Sequence, residues 1–160
     1  MNPVVIAAGG SFALALILPA ALIYVFSRVS GWSALAEHYP ARNPAPEPRK
    51  RNGSAVFRHW IGYNGGIVIS SDARGLYLAA MPVILSFCHA PIFIPWSDIR
   101  EIRRARSLMS EGWRIDTLKA PEVEFMLRPS TFEFVKQHAA AAVEIRDEGG
   151  KEGMREGGNE

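Results

Sequence analysis

Cys88 and His89 are the first pair of side chains in this sequence that could do chemistry. A thiol beside an imidazole is the composition of a nucleophile and its base. Both residues lie in the apolar run VILSFCHAPIFI, which predicts strand structure, and neighbours on a strand point to opposite faces. We therefore expect Cys88 to be a small buried apolar side chain rather than a nucleophile.

No other pattern in the sequence is typical of a catalytic or metal site. The four histidines lack the spacing of metal ligands, and the single cysteine has no partner. Ser97 and Asp98 have no histidine close to them in the sequence. We predict no catalytic residue, no metal and no cofactor, and hence a protein that is not an enzyme. An unrecognised enzyme is the third of three functional hypotheses.

The arginines form the one notable cluster of charge. Arg100, Arg103, Arg104 and Arg106 surround Glu101, and a second basic group precedes them at Arg49, Lys50 and Arg51. A guanidinium group matches phosphate with two hydrogen bonds, so these residues are candidate contacts for anionic lipid or another anion. The alternative is a solvated face. The net charge of +2 and the lack of interleaved aromatic residues argue against nucleic acid as the ligand.

The N-terminal segment predicts a membrane anchor. Residues 3–26 contain no charge, and a helix of roughly 24 residues is long enough to cross a hydrocarbon layer of ~30 Å. We predict an uncleaved transmembrane helix over residues 1–28. A cleaved signal peptide is the alternative, but no basic residue precedes the run. Gly9 and Ala13 have a spacing that permits close contact between helices.

Basic residues follow this segment and none precedes it. This asymmetry predicts that the N-terminus is outside and that the rest of the chain is cytoplasmic. In residues 29–53, Trp32, Leu35, Ala36 and Tyr39 form one stripe of a short helix. Trp32 and Tyr39 could lie at the membrane interface, or the stripe could pack on the domain. Four prolines then predict an extended linker.

Residues 54–146 predict a mainly β domain with a helix at its C-terminal end. Short strands alternate with turns, among them a hairpin turn at residues 64–66 and a strand at residues 83–88. The segment 100–108 fits either a strand or a helical turn. Ser130 and Glu133 have capping-box spacing before the final helix, and residues 147–160 have the composition of a disordered tail.

Several short motifs together resemble those of small, uncharacterised, single-pass bacterial membrane proteins with a pleckstrin-homology-like (PH-like) domain. They are GW at residues 31–32, LA at 35–36, Tyr39, and the sequence IPW followed by DI at 94–99. The resemblance implies a location at the inner (plasma) membrane of a bacterium, and a seven-stranded, partly open barrel with a helix over one end. It also implies that Pro95, Trp96 and Asp98 form a structural corner, where Trp96 covers the core and Asp98 accepts hydrogen bonds from the backbone of the turn.

Two functional hypotheses come before the enzyme. The first is a membrane-anchored, non-enzymatic PH-like module that binds a protein partner or anionic lipid headgroups at the cytoplasmic face. The second is an assembly or accessory subunit of a membrane complex that acts through its transmembrane helix. The sequence does not specify an oligomeric state.

Overall fold

The structure, a computed structural model, describes residues 3–81, 88–108 and 110–139, with side chains described from residue 17 onward. In chain order, the helices and strands are α1 (Pro3–Ser30), α2 (Trp32–His38), β1 (Arg49–Phe57), β2 (Ile61–Ser71), β3 (Gly75–Ala80), β4 (Ile92–Pro95), a 3-10 turn (Trp96–Asp98), β5 (Ile99–Arg106), β6 (Glu111–Thr117), β7 (Phe125–Leu127) and α3 (Pro129–His138).

The seven strands form one antiparallel sheet in the order β4-β3-β2-β1-β7-β6-β5. Strands β1 to β4 form one meander and β5 to β7 form another, and the pairing of β1 with β7 joins the two. The sheet curls into a half-barrel. The predicted mainly β domain with seven strands and a C-terminal helix is therefore confirmed, and the segment 100–108 contains most of strand β5.

The tip of the first hairpin differs from the prediction. Strand β2 runs through the Asn-Gly-Gly segment at residues 64–66, and the chain reverses earlier, where Arg58 and His59 both have positive φ. Gly65 also has positive φ, and it faces an irregular part of β1 near Asn52 and Gly53. The glycines therefore accommodate a β-bulge rather than a turn, because a bulge has the same need for left-handed backbone.

The domain begins before the predicted boundary at Ser54. Strand β1 starts at Arg49, so Arg49, Lys50 and Arg51 belong to the sheet and not to a linker. Helix α2 also belongs to the domain, because Trp32 and Leu35 are completely buried in its core.

The burial of Trp32 and Tyr39 corrects their assignment to the membrane interface. Trp32 is 0% exposed and Tyr39 is 3% exposed. The Trp32 ring lies 5.6 Å from the ring of Phe57 and 5.4 Å from those of Tyr63 and His89. The stripe of α2 therefore packs against the domain, because a curled sheet leaves an open end whose apolar lining must be covered.

The segment after α2 covers one edge of the sheet. Tyr39 O accepts a hydrogen bond from the backbone N–H of Phe93, and Ala41 donates its N–H to Pro91 O. Pro40 forms an isolated bridge with Ile92. The open edge of β4 is thus shielded by a short strap of residues 39–41.

Helix α3 begins one residue before the predicted capping box. Pro129 is at the start of the helix, the N-cap residue is Arg128, and no side chain caps the helix. Thr131 instead accepts a hydrogen bond from the backbone N–H of Ser54, 3.0 Å away. Proline suits this position because it has no N–H to leave unpaired. The predicted end of the helix at residues 149–150, the tail and most of the strand at 83–88 lie outside the described residues.

Helix α1 projects apolar side chains into solvent. Ile17, Leu18 and Leu22 are 63%, 58% and 62% exposed. Counting only described side chains, no single helix is long and apolar enough to cross a membrane. Ile17–Ser30 and Trp32–His38 meet that test only as a pair, and the two helices are bent by 69°.

Candidate binding surfaces

A buried polar network joins α1 to the domain. The Ser27 hydroxyl donates a hydrogen bond to Cys88 O, 2.6 Å away. The Tyr63 hydroxyl donates one to Ser30 Oγ at 3.0 Å and lies 2.9 Å from His89 Nε2. Ser27, Ser30 and His89 are at most 1% exposed. The last turn of α1 is therefore fixed to β2 and to the segment before β4.

The Tyr63 phenol is neutral at physiological pH. Burial raises its pKa from 10.0 to about 12, although the hydrogen bond to Ser30 acts in the opposite direction. A neutral phenol keeps its proton and can donate to Ser30 across the whole physiological range. The network therefore holds α1 in place without placing a charge in the core.

The predicted corner at Pro95, Trp96 and Asp98 is where β4 ends and the 3-10 turn begins. Trp96 is half-buried against the core, and its indole N–H donates to Asp72 O at 2.7 Å. The Asp98 carboxylate pairs with the Lys119 ammonium at 2.7 Å, while the backbone oxygen of Asp98 accepts from Leu118 N–H. The role predicted for Asp98 is thus corrected, because its carboxylate contacts an ammonium group and not the backbone of its own turn.

The two basic groups of the sequence lie on different parts of the sheet. Arg49 pairs with Ser70 of β2, whereas Arg100, Arg103, Arg104 and Arg106 belong to β5. Strands β7 and β6 separate β1 from β5. The predicted anion contacts therefore do not form one site.

Strand alternation then divides the arginines of β5 between two faces. Arg103 lies on the outer face, 3.8 Å from Asp116 and 3.7 Å from Glu101. Arg104 lies on the other face, with its guanidinium 5.2 Å from the centre of the Trp113 ring. This distance is that of a cation–π contact.

An open groove of about 440 Å³ adjoins the β5–β6 hairpin and the start of α3. Arg104, Arg106, Glu111, Trp113 and Pro129 line it. Arg106 forms an ion pair with Glu111, and both side chains are exposed. The groove combines guanidinium groups with an aromatic ring, which suits a ligand that is anionic and partly apolar.

A chain of ion pairs crosses the outer face of the β7-β6-β5 sheet. Arg114 pairs with Asp116 at 2.8 Å and also with Glu124. Glu124 in turn lies 2.9 Å from His59 Nδ1 at the strained hairpin tip. Burial lowers the pKa of Arg114, but its bonds to the two carboxylates outweigh this effect and the pKa is raised.

Cys88 and His89 do not lie in the regular strand predicted for them. The two residues lie in a turn before β4, and Cys88 is partly exposed rather than fully buried. The His89 ring instead faces Tyr63 and Trp32. Within the described ranges, no group of histidine, cysteine, aspartate and glutamate could hold a metal ion.

Sequence reasoning missed both polar networks. Ser27, Ser30, Tyr63 and His89 are separated by up to 62 positions, and nothing in their spacing indicates that they meet. The burial of a tyrosine beside a histidine depends on how β2 and the segment before β4 pack against α1. Only the fold brings these residues together.

Comparisons with known proteins found no family model, no curated protein and no solved structure that matches this chain.

Proposed function

We propose that this chain is a membrane-anchored, non-enzymatic binding module. The observation that carries the proposal is the exposed apolar surface of α1, which no described part of the domain covers. Exposed residues lie all around the helix, including Leu18, Leu22, Tyr24 and Val25. In water, such a surface has a high free energy, whereas in a bilayer it meets hydrocarbon. The residues before it, 3–16, carry no charge in the sequence.

The domain, in this proposal, is PH-like and cytoplasmic. The support for a PH-like domain is its arrangement of strands, with a four-strand and a three-strand meander joined through β1 and β7 and a helix at the C-terminal end. The support for the orientation is the basic residues that follow α1. The buried junction at Ser27, Ser30 and Tyr63 then holds the domain in a defined position at the membrane surface.

The role of the domain is to bind a protein partner or anionic lipid headgroups. The support is the arginine-rich strand β5 and the groove beside it. Assembly of a membrane complex through α1 is the competing proposal. It predicts that replacement of the arginines leaves association unchanged. Binding through β5 predicts that the replacement weakens association, and that association of the wild-type protein itself falls as the salt concentration rises.

The anchor is tested by membrane extraction of cells that express the full chain. Wild-type protein should remain in the membrane pellet after both high-salt and alkaline carbonate washes. Leu18→Arg combined with Leu22→Arg should move the protein to the supernatant, because two charges in an apolar helix oppose insertion.

The matched control is Leu108→Arg combined with Leu118→Arg. These two leucines are also exposed, at 91% and 54%, but they lie on the domain. This control should stay in the pellet. Release of wild-type protein by salt alone would contradict the anchor.

A further inference from the structure

The two edge strands of the sheet differ in whether another segment covers their outer side. At one edge, the strap of residues 39–41 covers β4. At the other edge, β5 pairs with β6 on one side, and no described strand pairs with its outer side. Strand β5 has eight residues, so this edge is about 26 Å long. An edge strand offers a row of backbone donors and acceptors to another extended chain.

Hydrogen bonding in the β5–β6 hairpin identifies which residues of β5 have backbone N–H and C=O groups that point away from β6. Ser107 donates its backbone N–H to Ser110 O at 2.8 Å, so this pair is a hydrogen-bonded one. Such pairs alternate with non-hydrogen-bonded pairs along an antiparallel ladder. The next pair, Arg106 with Glu111, is therefore of the second kind, and the backbone of Arg106 points away from β6. By the same alternation, the backbone N–H of Ile102 also points away from β6.

The charge around this edge favours one kind of occupant. Strand β5 carries four arginines and one glutamate, and its arginines project on both faces of the sheet. A second copy of β5 would bring like charges together, which is unfavourable across a strand pair. An acidic strand would bring carboxylates to guanidinium groups on either face. The exposed pair of Arg106 with Glu111 can be exchanged at little cost, since surface ion pairs contribute little.

We propose that β5 binds an extended acidic segment of a partner protein, which adds to the sheet as an eighth strand. Backbone hydrogen bonds supply register, and carboxylates on alternate residues, which share one face of the added strand, contact Arg104 and Arg106 on the corresponding face of β5. The groove lined by Arg104, Arg106 and Trp113 receives a side chain of the added strand. This inference names the partner of the proposed module. It does not depend on whether α1 crosses a membrane, so the two can fail separately.

Two other roles of the same arginines compete with this proposal. Charged residues on an edge strand often prevent pairing, in which case no acidic strand binds. Anionic headgroups would bind the guanidinium groups but would not use the backbone. The decisive measurement is therefore one that changes the outward backbone N–H and leaves the side-chain charge constant.

Arg106 provides that measurement, because its side chain is exposed and its N–H points away from β6. Arg106→Ala and Arg106→Pro both remove the guanidinium, but only proline removes the outward N–H and fills the edge. The full chain, in nanodiscs of phosphatidylcholine, is titrated into a fluorescein-labelled peptide of about ten residues in which glutamate alternates with threonine. Fluorescence anisotropy reports binding.

We expect the peptide to bind wild-type protein and to bind Arg106→Ala more weakly. Arg106→Pro should weaken binding by roughly a further threefold to tenfold, the range expected for one lost hydrogen bond. A peptide of the same charge with N-methyl groups on alternate residues cannot make the backbone hydrogen bonds. It should bind the wild-type protein at least as weakly as the unmodified peptide binds Arg106→Pro. A peptide with lysine in place of glutamate should not bind. Circular dichroism of each variant checks that the sheet is intact.

Three results would overturn the proposal. No binding of the acidic peptide to wild-type protein would leave the arginines as a guard against pairing. Equal binding by the alanine and proline variants would identify a contact with anions alone, as with headgroups. Binding that appears only when the six acidic residues of 140–160 are changed to glutamine or asparagine would make the chain's own C-terminal segment the occupant.

Discussion

The hydroxyl oxygen of Tyr63 connects α1 to the domain, because it contacts both Ser30 and His89. Tyr63→Phe keeps the ring but leaves these two buried groups without this partner. We expect the free energy of unfolding to fall by about 1–3 kcal/mol. Chemical denaturation of the detergent-solubilised full chain measures it. Tyr24→Phe, at an exposed tyrosine, is the control. An unchanged stability of the Tyr63 variant would contradict the network.

The raised pKa of the same phenol predicts that the stability of the fold decreases at alkaline pH. The pKa of Tyr63 is about 12 in the folded protein, against 10.0 for an ordinary tyrosine. Because the folded pKa is the higher one, this contribution to stability is fully present below pH 10 and is lost as the pH rises towards 12. Unfolding midpoints of the wild type and Tyr63→Phe should converge over that interval. Parallel curves would show that Tyr63 does not titrate there.

Trp96 shows how far the residue scale could be anticipated. The IPW sequence predicted a corner, and the chain does end a strand at Pro95. The depth of Trp96 could not be predicted, because it depends on the β2–β3 turn, whose Asp72 accepts the indole hydrogen bond. Since the ring is half-buried, Trp96→Ala should cost about 2–3 kcal/mol in a denaturation experiment, less than the roughly 3–5 kcal/mol of a fully buried tryptophan. A loss below about 1 kcal/mol would indicate that the ring does not cover the core.

At the scale of elements, α2 is the clearest difference between sequence and structure. Its stripe suits a membrane interface and the surface of a protein core equally, since in both places one face of the helix meets apolar groups and the other meets water. The distinction depends on the open end of the curled sheet, where Trp32 meets Phe57 and Tyr63. Local pattern could predict the helix and its apolar face. It could not predict what that face contacts.

Trp32→Ala tests this placement of α2. Removal of a fully buried indole should destabilise the domain by about 3–5 kcal/mol, measured by thermal or chemical unfolding. Trp60→Ala is the matched control, because Trp60 is 57% exposed and should change stability by less than about 0.5 kcal/mol. Equal and small effects would return Trp32 to the membrane interface.

The close approach of β6 to β7 gives a second prediction at this scale. A Cβ atom on Gly112 would lie 2.3 Å from Leu127 O, which is too short for any contact. Gly112→Ala should therefore destabilise the sheet by about 1–3 kcal/mol. Gly66→Ala, whose nearest neighbour would be 3.5 Å away, is the control for adding a methyl group to a strand glycine. Similar stability of the two variants would contradict the close approach.

At the scale of the whole molecule, the mainly β character and the final helix were predictable, because the periodicity of apolar residues is local. The number of strands was an expectation from the resemblance to PH-like proteins. The join between β1 and β7 was not predictable, since it pairs residues about 70 positions apart. The same holds for the division of the β5 arginines between two faces, which required knowing that the segment is a strand.

Topology is the prediction that belongs to the complete chain. A reporter that is active only in the cytoplasm, fused after Glu160, should be active, because the basic residues follow α1. The same reporter fused before residue 1 should be inactive. The reverse pattern would contradict the orientation.

The pairing of Phe57 with Phe125 has a consequence for synthesis. The half-barrel cannot join its two meanders until β7 has left the ribosome, long after α1 and α2 have been made. During that interval the ring of Trp32 has neither Phe57 packed on Phe125 beside it nor Val123 against the neighbouring Gly31. Contacts this distant in sequence slow folding, because a long loop must close before they can form. We expect the nascent domain to fold in one step at the end of translation.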